Sequence, residues 1–259
     1  MFQLIEHPAG ESSQVRSEFT DGETTFGISE EVAFDTFFGS SYKGPSGCIA
    51  HRGVSQYHHR FGGASWRVID PNPEFGGPIL VLTLGLRDPL LAGLRTGGLE
   101  ELPLCSYLGC DIWHYPQFYE IHPEDRHVLL VARKEPAEEL YCSDYEQGLL
   151  ASSLCLHPMT AGDFPTTEDR YWNASEEFTG GSRFIRVFGP PLWLENVTTV
   201  TCKCGKTMTY VCSIGYESQV EGAIPSGLLP GNGVFFGEAA TYWFLCPLCR
   251  IVGVVIQST

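Results

Sequence analysis

The chain has 259 residues, with 31 acidic against 16 basic side chains and a formal charge of −15. Hydrophobic residues make up 43% and aromatics 12%, too apolar a composition for a disordered acidic chain. Nucleic acid and anionic membranes are poor partners for it, because binding them requires clustered Lys and Arg that release counterions.

In chain order, Met1–Pro8 has neither the basic region nor the apolar stretch of a signal peptide. No apolar run approaches the roughly 20 residues of a membrane span. The expected location is cytoplasmic, with the ten cysteines acting as thiols and metal ligands rather than disulfides. Residues 1–40 carry eight acids and only Arg16, a local charge of −7. Ser29–Phe38 reads as a helix, with Ser29 as N-cap and acids in the first turn. His51, His58 and His59 follow, the densest imidazole region of the chain.

Phe61-Gly62-Gly63 with Trp66 then opens a β-rich stretch. It contains the apolar run Ile79–Leu86, a Leu102-Pro103 turn region and an aromatic strand at Ile112–Tyr115. His114, His122 and His127 flank that strand and read as turn or cleft residues. His127–Arg133 is a buried-strand pattern, and Pro136–Ser143 a second short helix. Residues 135–180 hold ten acids and only Arg170, a charge of −9, and 155–182 reads as a polar loop. Elsewhere acids and bases nearly balance.

The pattern recurs 127 residues on, where Phe188-Gly189-Pro190 precedes Trp193. Phe184–Phe188 alternates, Met208–Tyr216 is the counterpart run, Leu229-Pro230 the turn, Tyr242–Leu245 the aromatic strand, and Ile251–Ile256 is β-branched. These matches predict an α+β, β-rich fold of two related, mainly antiparallel β units. The units divide as 1–150, with the acidic N-terminal segment, and 151–259, with the cysteine knuckles. Most connections are turns, as 29 Gly and 17 Pro suggest.

The strongest chemical signal is Cys202-Lys203-Cys204-Gly205 paired with Cys246-Pro247-Leu248-Cys249-Arg250. A Cys-x2-Cys turn presents two sulfurs on one side of a tight loop, within reach of one tetrahedral ion at about 2.3 Å. Two such loops on adjacent strands form a zinc-ribbon-like site of Cys202, Cys204, Cys246 and Cys249, holding a structural Zn2+. Gly205 suits the close backbone approach that lets amides bond to thiolate. The first pair is one residue short of the usual knuckle, and Cys212 is an alternative fourth ligand. A redox pair or plain buried thiols are the other readings. A closed site of this kind serves folding rather than catalysis. Cys105 and Cys110 lie in the first unit without a matching pair, and Cys48, Cys142 and Cys155 read as scattered buried thiols.

No nucleophile elbow, phosphate-binding loop or dinucleotide fingerprint occurs. A metal-dependent hydrolase built on His51, His58 and His59 needs converging carboxylates, and none is near in sequence.

Phe188-Gly-Pro-Pro-Leu-Trp193, Cys204-Gly-Lys-Thr-Met208, and Phe235-Phe-Gly-Glu-Ala239 before Tyr242–Cys246 carry a resemblance. Here the chain resembles the YwqG-like family, bacterial proteins of unknown function. The likeness covers about the last 75 residues, and Phe61–Tyr119 more loosely. In that family Gly-Asp often precedes the aromatic strand, where this chain has Gly237-Glu238. The resemblance implies a β-rich, duplicated fold with an optional metal knuckle, and an inhibitor or immunity role through the family's occurrence beside toxin genes. It supplies no catalytic residues.

The functional expectation is a non-enzymatic binding protein that neutralises a basic partner, such as a toxin, through an acidic face. The alternatives are the histidine-centred hydrolase and an adaptor whose ribbon docks a partner through Lys203, Lys206 and Arg250.

Overall fold

The computed structural model describes residues 3–7, 15–21, 24–32, 47–73, 77–107, 116–133, 149–160, 163–164, 185–215 and 239–258. The strands are β1 (Gln3–His7), β2 (Val15–Asp21), β3 (Thr24–Val32), β4 (Cys48–Arg52), β5 (His59–Phe61), β6 (Arg67–Ile69), β7 (Ile79–Gly85) and β8 (Glu101–Ser106). They continue as β9 (Gln117–His122), β10 (His127–Arg133), β11 (Ser152–Pro158), β12 (Ile185–Val187), β13 (Asn196–Thr201), β14 (Thr209–Ile214), β15 (Ala239–Cys246) and β16 (Ile251–Ser258). A 3-10 helix spans Pro89–Leu94. No helix among these residues is long and apolar enough to cross a membrane.

Two sheets result. A 4-stranded sheet runs β1-β2-β3-β13, and a 12-stranded sheet runs β6-β10-β9-β16-β15-β14-β12-β4-β11-β5-β7-β8. Among the described strands only the β6–β10 pair is parallel. Strands from both sequence units interleave in the larger sheet: β11 lies between β4 and β5, and β16 pairs with β9. The larger sheet is nearly closed. At its two edges Trp66 Nε1 and Arg126 Nη2 both donate to Glu101 Oε2, at 3.0 and 2.6 Å, and Tyr107 donates its hydroxyl proton to Asp70. The Arg126 guanidinium also lies 5.1 Å over the Trp66 ring.

The β15 sequence Ala-Ala-Thr-Tyr-Trp-Phe-Leu-Cys is buried at every position, and side-chain alternation explains why. Trp243 and Leu245 enter one core with Val252 and Val254, lined also by Leu82, Leu84 and Val211. Tyr242, Phe244 and Cys246 enter a second core with Phe26, Phe118, Trp193 and Val200. The smaller sheet therefore covers the outer face of the larger one. A Cβ at Gly253 would lie 3.2 Å from both Phe118 and Val200, so glycine lets the layers meet here.

Both β units use the same strand-end device. At the end of β5, Gly62 takes φ 63° and donates its amide to Val81 O at 2.8 Å. At the end of β12, Phe188 takes φ 58° and donates to Val211 O at 2.7 Å. Val81 and Val211 are the extra residues of β-bulges, in β7 against β8 and in β14 against β15. Hydrogen bonding thus sets Gly62 against Phe188, one residue from the Phe61–Phe188 match read in the sequence. It also makes β8 the counterpart of β15.

Residues 29–32 of the helix expected at Ser29–Phe38 are instead the end of β3, where Ser29 and Glu30 pair with Thr199 and Thr198 of β13, and residues 33–38 lie outside the described residues. Phe26 and Ile28 alternate into the core, and that burial outweighs a local capping signal. Leu102-Pro103 is not a turn but the middle of β8, an edge strand that tolerates a missing amide. Residues 155–158 of the expected polar loop belong to β11. The unpredicted 3-10 helix has a sequence signature: Asp88 Oδ1 accepts from the Leu90 amide at 2.9 Å, and Pro89 follows the cap. The Ile112–Tyr115 strand, the Pro136–Ser143 helix, Leu229-Pro230, Phe235–Glu238, Cys110, His114 and Cys142 lie outside the described residues.

Candidate metal centre

Strand β13 delivers Cys202 to a tight turn in which Gly205 N donates to Cys202 O at 2.8 Å and Cys202 N to Lys206 O at 2.9 Å. Gly205 takes φ +77°, a conformation that disfavours a Cβ. The chain then returns through Met208, whose amide donates to Val200 O, into β14. The other pair sits at the β15–β16 hairpin, closed by the Cys246–Ile251 pairing, with Arg250 at φ 53°. Because β14 pairs with β15, the two turns stand side by side.

The sulfurs of Cys202, Cys204, Cys246 and Cys249 all lie within 4.8 Å of one another. Cys204 and Cys246 are 3.7 Å apart, whereas a tetrahedron with metal–sulfur bonds of about 2.3 Å has edges of about 3.8 Å. Cys202 and Cys246 are buried, Cys249 is intermediate and Cys204 exposed. Burial pushes the Cys202 thiol well up and the Cys249 thiol to about 11. The Lys206 amide, donating to sulfur, draws Cys204 down to about 7. A divalent cation would compensate the charge of four thiolates held this close together. The donor set, spacing and amide bonds fit a tetrahedral metal ion.

Cys212 is not part of the group. It is fully buried on β14, pairs with Trp243 and packs in the core on the other side of the sheet. Residue parity decides this: the Val211 bulge sends Cys212 away from the knuckles.

The turns are braced by the first unit. Thr96 Oγ1 donates to Pro247 O at 2.8 Å, and Ile121 N to Arg250 O at 2.9 Å. Arg250 reaches Glu124 at 3.5 Å, and Lys203 reaches Glu120 at 3.3 Å. Two of the three ribbon bases are thus ion-paired within the molecule.

The histidines do not converge. His59 is buried: Gly85 N donates to its Nδ1 at 3.1 Å, which leaves Nε2 to donate to Asp88 Oδ2 at 2.9 Å. His58 is exposed at φ 60° and lines a cleft of about 300 Å³ with Tyr57, Arg87 and Glu100. His51 lies on β4 beside His157, and His122 and His127 stack 4.4 Å apart across the β9–β10 hairpin. Among the described residues only the cysteines form a metal-sized donor group.

Burial lowers the His59 pKa from 6.5, with Asp88 opposing the shift. The folded protein therefore keeps His59 neutral where the unfolded chain already binds a proton. Its contribution is complete above about pH 6.5 and falls as the pH drops below it. Urea denaturation at about pH 7.5 and about pH 5.5 should show the midpoint falling with acid, and less so in His59→Gln. An equal fall in both proteins would assign the acid sensitivity elsewhere.

No family model, curated protein or solved structure matches the chain.

Proposed function

We propose that the protein is a non-enzymatic binding protein, an inhibitor or immunity protein of YwqG-like type, that neutralises a basic protein partner through an acidic surface. In this reading Zn2+ at the four cysteines holds the scaffold, and the protein works in the cytoplasm. An all-sulfur tetrahedral set suits zinc, and four protein ligands leave no position for substrate.

The observation that carries the reading is the way the acidic segment is mounted. Strand β3 pairs along β13, which ends at Thr201 immediately before Cys202, so the cysteine turn anchors the sheet bearing Glu18 and Glu30. Glu30 is partly buried, and its pKa is raised first by that burial and then by Glu195. Carboxylates that repel one another in a rigid setting gain from an approaching cation.

The test begins with co-purification and mass spectrometry to identify a partner, followed by association kinetics across ionic strength. The expected partner is basic, and its on-rate falls steeply with salt. Glu30→Gln with Glu195→Gln should slow association severalfold while changing dissociation little. An acidic partner, or an on-rate indifferent to salt, would overturn the proposal. Metal analysis returning an ion other than zinc would overturn the zinc assignment alone.

A further inference from the structure

Strand β11 carries Cys155 and His157 two residues apart, hence on one face, while Leu154 and Leu156 pack toward the core on the other. Cys155 Sγ lies 3.3 Å from His157 Nε2. Across the ladder His51 pairs with Cys155, and its ring meets that of His157 edge-on at 5.2 Å. The thiol also approaches His51 O, at the longer distance of 3.7 Å.

Gly53 supplies an independent sign that this sulfur is accommodated by its surroundings. A Cβ there would lie 2.6 Å from Cys155 Sγ, and Gly53 has no left-handed φ that would demand glycine. Its amide bond to Ser153 O is available to any residue except proline. Glycine at this position is therefore explained by the room the sulfur occupies. Cys48, Cys105 and Cys212 are buried, and burial pushes Cys48 to about 11. Cys155 is partly exposed and His157 exposed, so a reagent can reach them. Cys155 is thus not the buried thiol that its sequence context suggested.

We propose that Cys155 is a nucleophilic thiol with His157 as its base, and that it forms mixed disulfides with low-molecular-weight disulfides. The Cys155 S–H proton passes to His157 Nε2, and the thiolate attacks one sulfur of the reagent R–S–S–R. The Cys155–S–S–R bond forms as the reagent's S–S bond breaks. The departing thiolate takes the proton from His157 and leaves as R–SH. Cys155 sulfur is oxidised, the departing sulfur is reduced, and no other oxidant is needed.

The probe is 2,2′-dithiodipyridine, added to the metal-loaded protein, with labelling followed at each cysteine by peptide mass spectrometry. At about pH 6.5 Cys155 should label at least about tenfold faster than Cys48 or Cys105. His157→Gln should slow it by about tenfold there, with the deficit shrinking as the pH is raised. Gly53→Ala should also slow labelling, by displacing the sulfur. Labelling of Cys155 no faster than Cys48, or an unchanged pH profile in His157→Gln, overturns the proposal. Should a variant unfold, Cys48 labelling reveals it, and the parent's profile decides. A parent rate at Cys155 at least about tenfold above that at Cys48 supports the dyad, and one no faster overturns it.

Discussion

Cys246→Ser should abolish metal binding at the four-cysteine group and cost about 5 kcal/mol or more of stability, the largest effect expected of any single side chain here. Cys246 is fully buried and ends β15, the central strand shared by both cores. Its replacement removes one of the four sulfur donors and puts a hydroxyl at a fully buried position. Cys204 is exposed, so water can take the vacated position in Cys204→Ser and the loss should be smaller. Chelation of the parent protein should reproduce the Cys246→Ser result and loosen the Thr96–Pro247 brace, making the 94–99 loop a site of proteolysis. Cys212→Ser should keep the metal while losing some stability, since it buries a hydroxyl in the other core. Metal content by plasma mass spectrometry and urea midpoints measure both quantities. Full stability in metal-free protein would remove the structural role from the cluster.

Gly85→Ala should cost about 3 kcal/mol or more, through backbone rather than side-chain crowding. A Cβ at position 85 would lie 1.8 Å from the Tyr57 carbonyl oxygen, a main-chain atom that cannot rotate aside. Either the 56–58 turn or the end of β7 has to move. Both movements break the Gly85 N–H bond to His59 Nδ1 and free a buried imidazole from its place beside Asp88. Gly97→Ala is the matched control, because nothing lies within 4 Å of its added Cβ and its φ is not left-handed. That substitution should be neutral or slightly stabilising, by restricting the unfolded chain. Similar denaturation midpoints for the two variants would show that Tyr57 yields easily.

How much of this was readable beforehand varies with the range of the interaction. Ile79–Leu86, His127–Arg133, Tyr242–Leu245 and Ile251–Ile256 all lie within or largely overlap observed strands, because a dense apolar run needs burial on both sides wherever it sits. The four cysteines were legible from their paired spacing, since each short loop presets two sulfurs. Ser29 misled because its capping signal is local, while the partner that makes it a strand, Thr199, is 170 residues away. Cys155 was misread for the same reason: its neighbours His51 and Gly53 come from a strand and turn about 100 residues earlier.

The −15 charge and its concentration in residues 1–40 and 135–180 were determined by sequence alone, as were the β-rich character and the cysteine spacing. Tertiary structure decided that residues 3–7, 15–21 and 24–32 of the first acidic segment form a sheet along β13, and that strands from both sequence units share one nearly closed sheet. It also separated Cys212 from the knuckle and set Cys155 beside His157. Composition and short spacings act through the chain's local geometry, which sequence specifies directly. Strand register acts through pairings between distant segments, and a shift of one residue, as at the Val81 and Val211 bulges, reverses the face on which every later side chain lies.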